Sequence, residues 1–303
     1  MQTRVLPFTD DTIAEAARLI LAGEPVAIAT ETVYGLAADA TNAQGVARIY
    51  EAKGRPGFNP LIVHVPDLAA AMRIGEFNED AHCLAEEHWP GPLTLVVPLR
   101  SESGIASIVT AGLSTIGLRV PAHPAMQALL RAVGHPLAAP SANVSGSISP
   151  TRAEHVARSL NGRIPLIVDA GPTERGLEST IVAATNGSLR LLRPGPIEVA
   201  AKAVSAERIE APGQLASHYA PAKPLRLNVA QADPDEFLIG FGDVRGEASL
   251  SPSGDLVEAA ARLFDLLHQA DESNKMRIAV APVPEEGLGV AINDRLRRAA
   301  TRP

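Results

Sequence analysis

The stretch YEAKGRPGFNPLIVHV, residues 50–65, changes periodicity partway along. Upstream, Asn42 can cap a helix that carries Val46, Ile49 and Tyr50, and Gly54 can end it. Downstream, LIVHV (61–65) is short and apolar, as a buried strand is. Between them, Pro56 and Pro60 stiffen a turn that carries Lys53, Arg55 and Asn59. Helix, tight turn and buried strand in succession is an α/β pattern.

The same alternation extends both ways. Residues 10–22 predict a helix capped by Asp10 or Asp11, with Ile13, Ala16, Leu19 and Ile20 on one face and Gly23 as its stop. Pro25 to Ala29 predicts a buried strand, and ETVYGL (31–36) a turn leaving it. Further strands are expected at 93–99, 115–120, 165–170, 179–184 and 189–192, and helices at 80–88, 123–133 and 151–160. Strands and helices mix without strict alternation, so a mixed sheet is expected. After Val204 the texture changes. The segment 206–224, with three prolines and little periodicity, reads as a linker. A second, smaller α/β pattern occupies 225–303, with strands in LRLNV, EFLIGFG and MRIAVAPV and helices over 255–269 and 290–300. The expected organisation is therefore a domain over 1–205, a linker over 206–224 and a small domain over 225–303.

Bulk properties narrow the function. A net charge of −7 argues against a basic face for gripping a nucleic-acid backbone. The single cysteine, Cys83, excludes an intrachain disulfide and a multi-cysteine zinc site, and fits a cytoplasmic setting. The N-terminus does not read as a signal peptide, and no apolar run approaches a membrane span. No phosphate-binding G-x-x-x-x-G-K-[ST] loop occurs, and Gly240, Gly242 and Gly246 miss the dinucleotide spacing. His82, Glu87 and His88 read as a helix surface, so no protein metal site is expected.

Three polar segments beside apolar strands remain as candidates. ETVYGL follows a buried strand, where open α/β sheets place ligands, although Gly35 could equally mark an ordinary turn. Lys53 and Arg55 on a stiff turn can clamp a polyphosphate, or simply cap a helix C-terminus; as clamps they are expected to face solvent. PLAAPSANVSGSISPT (136–151) is either an anion nest or a flexible surface loop. His64 lies in its strand as a pocket residue or as a satisfied core histidine.

Taken jointly, these segments resemble the YrdC-type threonylcarbamoyl-AMP synthases. ETVYGL, the K-x-R of Lys53 and Arg55, NPLIVH, WPGPLTLVV (89–97), TIGLRVPAHP (115–124), APSANVSG (139–146), GLESTIV (176–182) and LRPG (192–195) occur in order. PGQLASHYAP (212–221) resembles the linker of the longer family members, and GVAINDRLRRAA (289–300) the end of their extra domain. Ala29 stands where members usually carry proline. The resemblance implies a YrdC-like mixed, twisted sheet with helices, plus a small Rossmann-like C-terminal domain. It implies condensation of L-threonine, bicarbonate and ATP into threonylcarbamoyl-AMP and pyrophosphate, with Mg2+ accompanying ATP. The product would feed the tRNA threonylcarbamoyl-transfer machinery, and a weak tRNA contact is compatible with this.

By the same resemblance, Thr32, His64, Arg119, Ala139 and Ser179 would hold threonine. Lys53, Arg55, Asn59, Thr115, Ser141, Asn143, Ser149 and Arg193 would hold ATP, with His218 and Tyr219 folding over it. Lys53 and Arg55 would be the catalytic pair. Two rival readings stand beside this one. The first is a YrdC-like RNA-binding or regulatory module that makes no adenylate. The second is a carbamoyl-transferring maturation protein, whose zinc fingers a single cysteine cannot build.

Overall fold

The computed structural model describes residues 2–185, 187–203 and 209–301. Eleven strands form the first sheet: β1 Arg4–Pro7, β2 Val26–Ala29, β3 Tyr34–Asp39, β4 Ile62–His64, β5 Leu93–Pro98, β6 Thr115–Arg119, β7 Leu137–Ala138, β8 Leu166–Asp169, β9 Thr180–Thr185, β10 Ser188–Arg193 and β11 Lys202–Ala203. Their order is β1-β8-β2-β3-β7-β4-β6-β5-β9-β10-β11, with parallel and antiparallel pairs mixed. Helices α1 Asp10–Leu21, α2 Ala43–Lys53, α3 Leu68–Ile74, α4 Glu79–His88, α5 Pro124–Val133 and α6 Ala153–Leu160 flank it.

Local chemistry explains the ends that position the site. Asn42 caps α2 by accepting from the Gln44 and Gly45 amides, and Gly54 closes it with a left-handed φ of 59°. α1 is capped by Thr9, ahead of the expected Asp10 or Asp11, because the Thr9 hydroxyl accepts from the Thr12 amide. β2 alternates as a strand between two layers must. Ala27 and Ala29 join the core under α2, α4 and α6, whereas Val26 and Ile28 join the core under α1 and α5.

The expected turn at ETVYGL is only half a turn. The reversal occupies Thr30–Val33, where the Thr30 hydroxyl donates to the Val33 carbonyl at 2.7 Å and accepts from the Thr32 and Val33 amides. From Tyr34 the chain runs straight into β3, antiparallel to β2. Gly35, Ala37 and Ala38 are weak strand formers, but all six β3 residues are buried, and sheet context overrides propensity.

The second sheet is four-stranded and wholly parallel, in the order β12 Leu225–Arg226, β15 Arg277–Val280, β13 Glu236–Gly240, β14 Ala248–Ser249. It packs with α7 Leu256–Glu272 and α8 Leu288–Ala300. The expected domain boundary at 205/206 lies outside the described residues. The core of this unit is not separate from the first, since Val33, Ile148, Leu177 and Tyr219 belong to the same cluster as Phe264 and Leu267. Gly176, at φ +67°, approaches α7 so closely that a Cβ would sit 2.4 Å from the carbonyl oxygens of Ala260 and Ala261. From the linker, Ala211 packs on the outer sheet face with Ile62, Val96, Ile181, Ala183 and Leu192. Among the described residues no helix is long and apolar enough to cross a membrane.

Candidate active site

Register builds the centre of the site. β4 and β6 run parallel with His64 opposite Arg119, so both side chains leave neighbouring strand ends together. The hairpin turn between β2 and β3 brings Thr32 and Glu31 onto Arg119. The guanidinium donates to the Thr32 hydroxyl at 3.0 Å, to Glu31 Oε1 at 2.6 Å and to the Gly91 carbonyl at 3.2 Å. Burial pushes the Glu31 carboxyl upward, but Arg119 outweighs it and the net position is below the usual range. Of five guanidinium N–H groups, these contacts leave some free for a second carboxylate.

His64 is 3% exposed, and neither ring nitrogen has a partner among the described residues. Burial, then Arg119, pull its pKa down to about 3, so the ring is neutral at neutral pH. It is thus a cavity residue rather than a satisfied core histidine. A partly open cavity of about 50 Å³ joins it to Thr32, Arg119, Ala139, Ser141 and Ser179, and to Arg55, Arg193, His218 and Tyr219.

The cations are the main electrostatic feature. Lys53, Arg55 and Arg193 are 1%, 9% and 4% exposed, which corrects the expectation that Lys53 and Arg55 face solvent. Lys53 donates to the Ser141 and Asn143 carbonyls. Arg55 donates to the Asn59 and Pro60 carbonyls. Arg193 donates to the Ser179 carbonyl at 2.9 Å and hydroxyl at 3.1 Å. Carbonyls and the Ser179 hydroxyl take up part of their hydrogen-bonding capacity, and none of the three bonds a carboxylate among the described residues, although Glu178 lies near Arg193. Burial pulls Arg55 down to about 10 and lowers Lys53 and Arg193 as well.

Not every expected residue lines this cavity. Lys53 lies behind the Ser141 carbonyl, and Ser149 behind Glu178, to which its hydroxyl donates at 2.5 Å. Thr115 lines a smaller adjacent cavity with Thr94 and the linker residues Glu210 to Pro212. Asn59 is buried, and among the described residues both its amide atoms and the Asn143 carboxamide oxygen have no partner. Glu31, Glu178 and Gly213 are additions that the sequence reading missed. GLESTIV had drawn attention only to Ser179, and a carboxylate beside a serine gives no sign of which one faces a cavity.

The linker closes the top. Tyr219 adopts φ 64° and stacks edge-on against His218, with ring centroids 4.1 Å apart. Gly213 lies against both Tyr219 and Arg193. α8 pins this segment: Arg298 donates to the Leu215 carbonyl at 2.6 Å, and the Ser217 hydroxyl to the Thr301 carbonyl at 2.8 Å.

A mixed-sheet domain strapped by a linker to a small parallel-sheet domain, over a cation-rich cavity, defines a two-domain class with known relatives. The family model described as "Telomere recombination" (Sua5/YciO/YrdC) matches residues 18–195, and "Threonylcarbamoyl-AMP synthase, C-terminal domain" matches 177–301. The chain is 40% identical to a threonylcarbamoyl-AMP synthase of Bacillus subtilis, over 98% of this chain and 95% of that protein. It is 39% identical to the Pyrococcus abyssi threonylcarbamoyl-AMP synthase, over 94% and 93%. The crystal structure of P. abyssi Sua5 complexed with L-threonine superposes with a TM-score of 0.90 at 34% identity, covering 99% of this chain and 98% of that one. The chain belongs to the threonylcarbamoyl-AMP synthase family, a family of nucleotidyl-transferring enzymes.

Proposed function

We propose that this chain condenses L-threonine, bicarbonate and ATP into threonylcarbamoyl-AMP and pyrophosphate, and that it does so in the cavity beneath the linker. The observation that carries the reading is the set of three buried cations, Lys53, Arg55 and Arg193, bonded to carbonyls and hydroxyls and to no carboxylate among the described residues. Three buried cations with one nearby carboxylate among the described residues, Glu178, which Arg295 also engages, leave an excess of buried positive charge; such an excess is costly, so the arrangement suits a polyanionic ligand. Arg119 is the fork for the threonine carboxylate, with Thr32, His64 and Ser179 around the amino acid and Ala139 lending backbone. Asn59, Thr115, Ser141, Asn143 and Ser149 surround the nucleotide beside the cations, and His218 and Tyr219 cover it.

The chemistry needs no protein nucleophile. The threonine amine attacks the bicarbonate carbon, and the bicarbonate hydroxyl leaves as water with one amine proton, giving a carbamate. A carbamate oxygen then attacks the α-phosphorus, and pyrophosphate leaves. What the chain contributes is positioning and charge cancellation. With a pKa of about 3, His64 serves as a hydrogen-bond partner rather than as the proton acceptor. Among the described residues no three His, Cys, Asp or Glu side chains converge as metal ligands. A magnesium ion carried by the triphosphate would shield phosphate charge there.

At about 50 Å³ the cavity has room for a few waters at ~10–15 Å³ each. An amino acid can be accommodated with small adjustments, but a nucleoside triphosphate requires the linker to lift. The linker then shuts water away from the carbamate and the acyl phosphate. In the cytoplasm the product would pass to the tRNA threonylcarbamoyl-transfer machinery. The test is pyrophosphate release by the purified chain with each substrate omitted in turn. Release that persists undiminished without threonine overturns the reading.

A further inference from the structure

Helix α8 of the second domain sends one side chain back into the first. Arg295 is fully buried. Its Nε donates to Glu178 Oε2 at 2.9 Å, and its Nη1 donates to the Pro194 carbonyl and to Asp294 Oδ2, each at 2.9 Å. Its guanidinium carbon lies 5.4 Å from the centre of the Tyr219 ring. One residue therefore touches the cavity wall, the chain before β11 and the linker together.

Glu178 is what makes this contact consequential. It is a buried carboxylate that lines the cavity intended for a triphosphate. Left uncompensated, its charge would oppose that ligand at short range in a medium of low dielectric. We propose that Arg295 is a positioning residue through which the second domain makes the cavity fit for a polyphosphate. It cancels and orients Glu178 and backs the Tyr219 ring. This rests on the reading that ATP binds in the cavity.

The groups facing Glu178 are few. Arg295, with Asp294 beside it, comes from α8, Arg193 from β10, His218 and Tyr219 from the linker, and Ser149 from the loop before α6. Burial pushes the Glu178 carboxyl up, and Arg295 and Arg193 outweigh it, so its net position is below the usual range. Without Arg295 the largest influence that lowers it is gone, and the carboxyl shifts upward although Arg193 and Ser149 remain. The charge opposing ATP is then relieved as pH falls, a behaviour the parent chain lacks.

The experiment measures MgATP and threonine dissociation constants for the full chain and its variants. R295M is expected to weaken MgATP by at least about tenfold while threonine changes less than about threefold. The ratio of R295M to parent should narrow between about pH 8 and about pH 6, as the freed carboxyl protonates. R295M/E178Q, which removes both charges, should return MgATP affinity to within about threefold of the parent. Equal weakening of both ligands, or a pH-independent ratio with no recovery in the double variant, overturns the proposal. Should R295M fail to fold, R295K and R295M/E178Q carry the test. Both must bind MgATP within about threefold of the parent, and about a tenfold loss in either overturns the proposal. A parent chain that binds no MgATP sinks the functional reading and this inference with it. A parent that binds MgATP while R295M behaves like it sinks this inference alone.

Discussion

The Lys53 ammonium lies 2.6 Å from the Ser141 carbonyl, and a second bond of 2.6 Å reaches the Asn143 carbonyl. The Lys53 carbonyl in turn accepts from the Ser145 amide at 2.8 Å. The last turn of α2 is thereby tied to the Ser-rich loop after β7. That loop is an ordered wall of the cavity and not a flexible surface loop. Lys53 thus shapes the cavity wall from behind.

Lys53→Met should therefore injure the fold as well as the chemistry. Two buried carbonyls lose their donor, at about 1–3 kcal/mol each. Urea unfolding should show a loss of about 2–5 kcal/mol, offset in part because a buried ammonium no longer has to be desolvated. An unchanged unfolding midpoint with lost activity would restore the picture of a solvent-facing clamp.

Glu31 is the residue that aims Arg119. Glu31→Ala strands a buried guanidinium and should cost about 3–5 kcal/mol. Glu31→Gln retains an acceptor, so it should fold, yet the fork is less firmly held. KM for threonine is expected to rise by about tenfold, a 1.4 kcal/mol effect, while KM for ATP moves much less. Equal rises in both constants would remove the assignment of Arg119 to the amino acid.

Gly213 gives access to the linker without touching its chemistry. At φ +85° it is strained for any other residue, and a Cβ there would meet the Tyr219 hydroxyl at 2.8 Å and Arg193 Cδ at 2.9 Å. Gly213→Ala should displace Tyr219 at about 1–3 kcal/mol of strain, felt as roughly tenfold weaker MgATP binding. Threonine affinity should hold. MgATP affinity equal to that of the parent would show that the linker does not cover the nucleotide.

Acid should unfold the chain through its histidines. Burial pulls His64, His155 and His218 to about 3 and His268 to about 4. Unfolded histidines titrate near about 6.5, so unfolding takes up protons below that pH. Stability is thus fully present above about pH 6.5 and declines as pH falls toward 4 and 3, by up to about 1.4 kcal/mol per pH unit for each proton taken up. His155 and His268 stack 3.8 Å apart between α6 and α7, so protonation sets like charges together at the domain interface. Denaturant midpoints measured against pH should fall less steeply in H155Q/H268Q. Parallel slopes would exclude the stacked pair as a contributor.

Much of the fold could be read from periodicity. Asn42 and Gly54 bracket α2 as their capping chemistry predicts, and Asp255 caps α7. β3 could not be read that way, because its Gly35, Ala37 and Ala38 carry no strand signal and only burial on both faces holds them there. The site divides similarly. Motif resemblance picked out Thr32, His64, Arg55, Arg119 and Arg193, which the fold gathers around one space. Glu178 and Arg295 stayed hidden because their pairing spans two domains, and nothing in a single chain of letters marks a contact between residues so far apart. Lys53 shows a third kind of miss. Its identity was legible, but whether a lysine at a helix end points outward or is buried depends on the loop laid over it.

The place of Ala211 on the outer sheet has a practical corollary. Were the linker to lift for a nucleotide, as proposed, Ile62, Val96, Ile181, Ala183 and Leu192 would lose their apolar cover. The nucleotide-accepting form is therefore the stickier one. Concentrated stocks should clump less when saturated with MgATP and threonine than when stored bare, which light scattering over days of storage can follow.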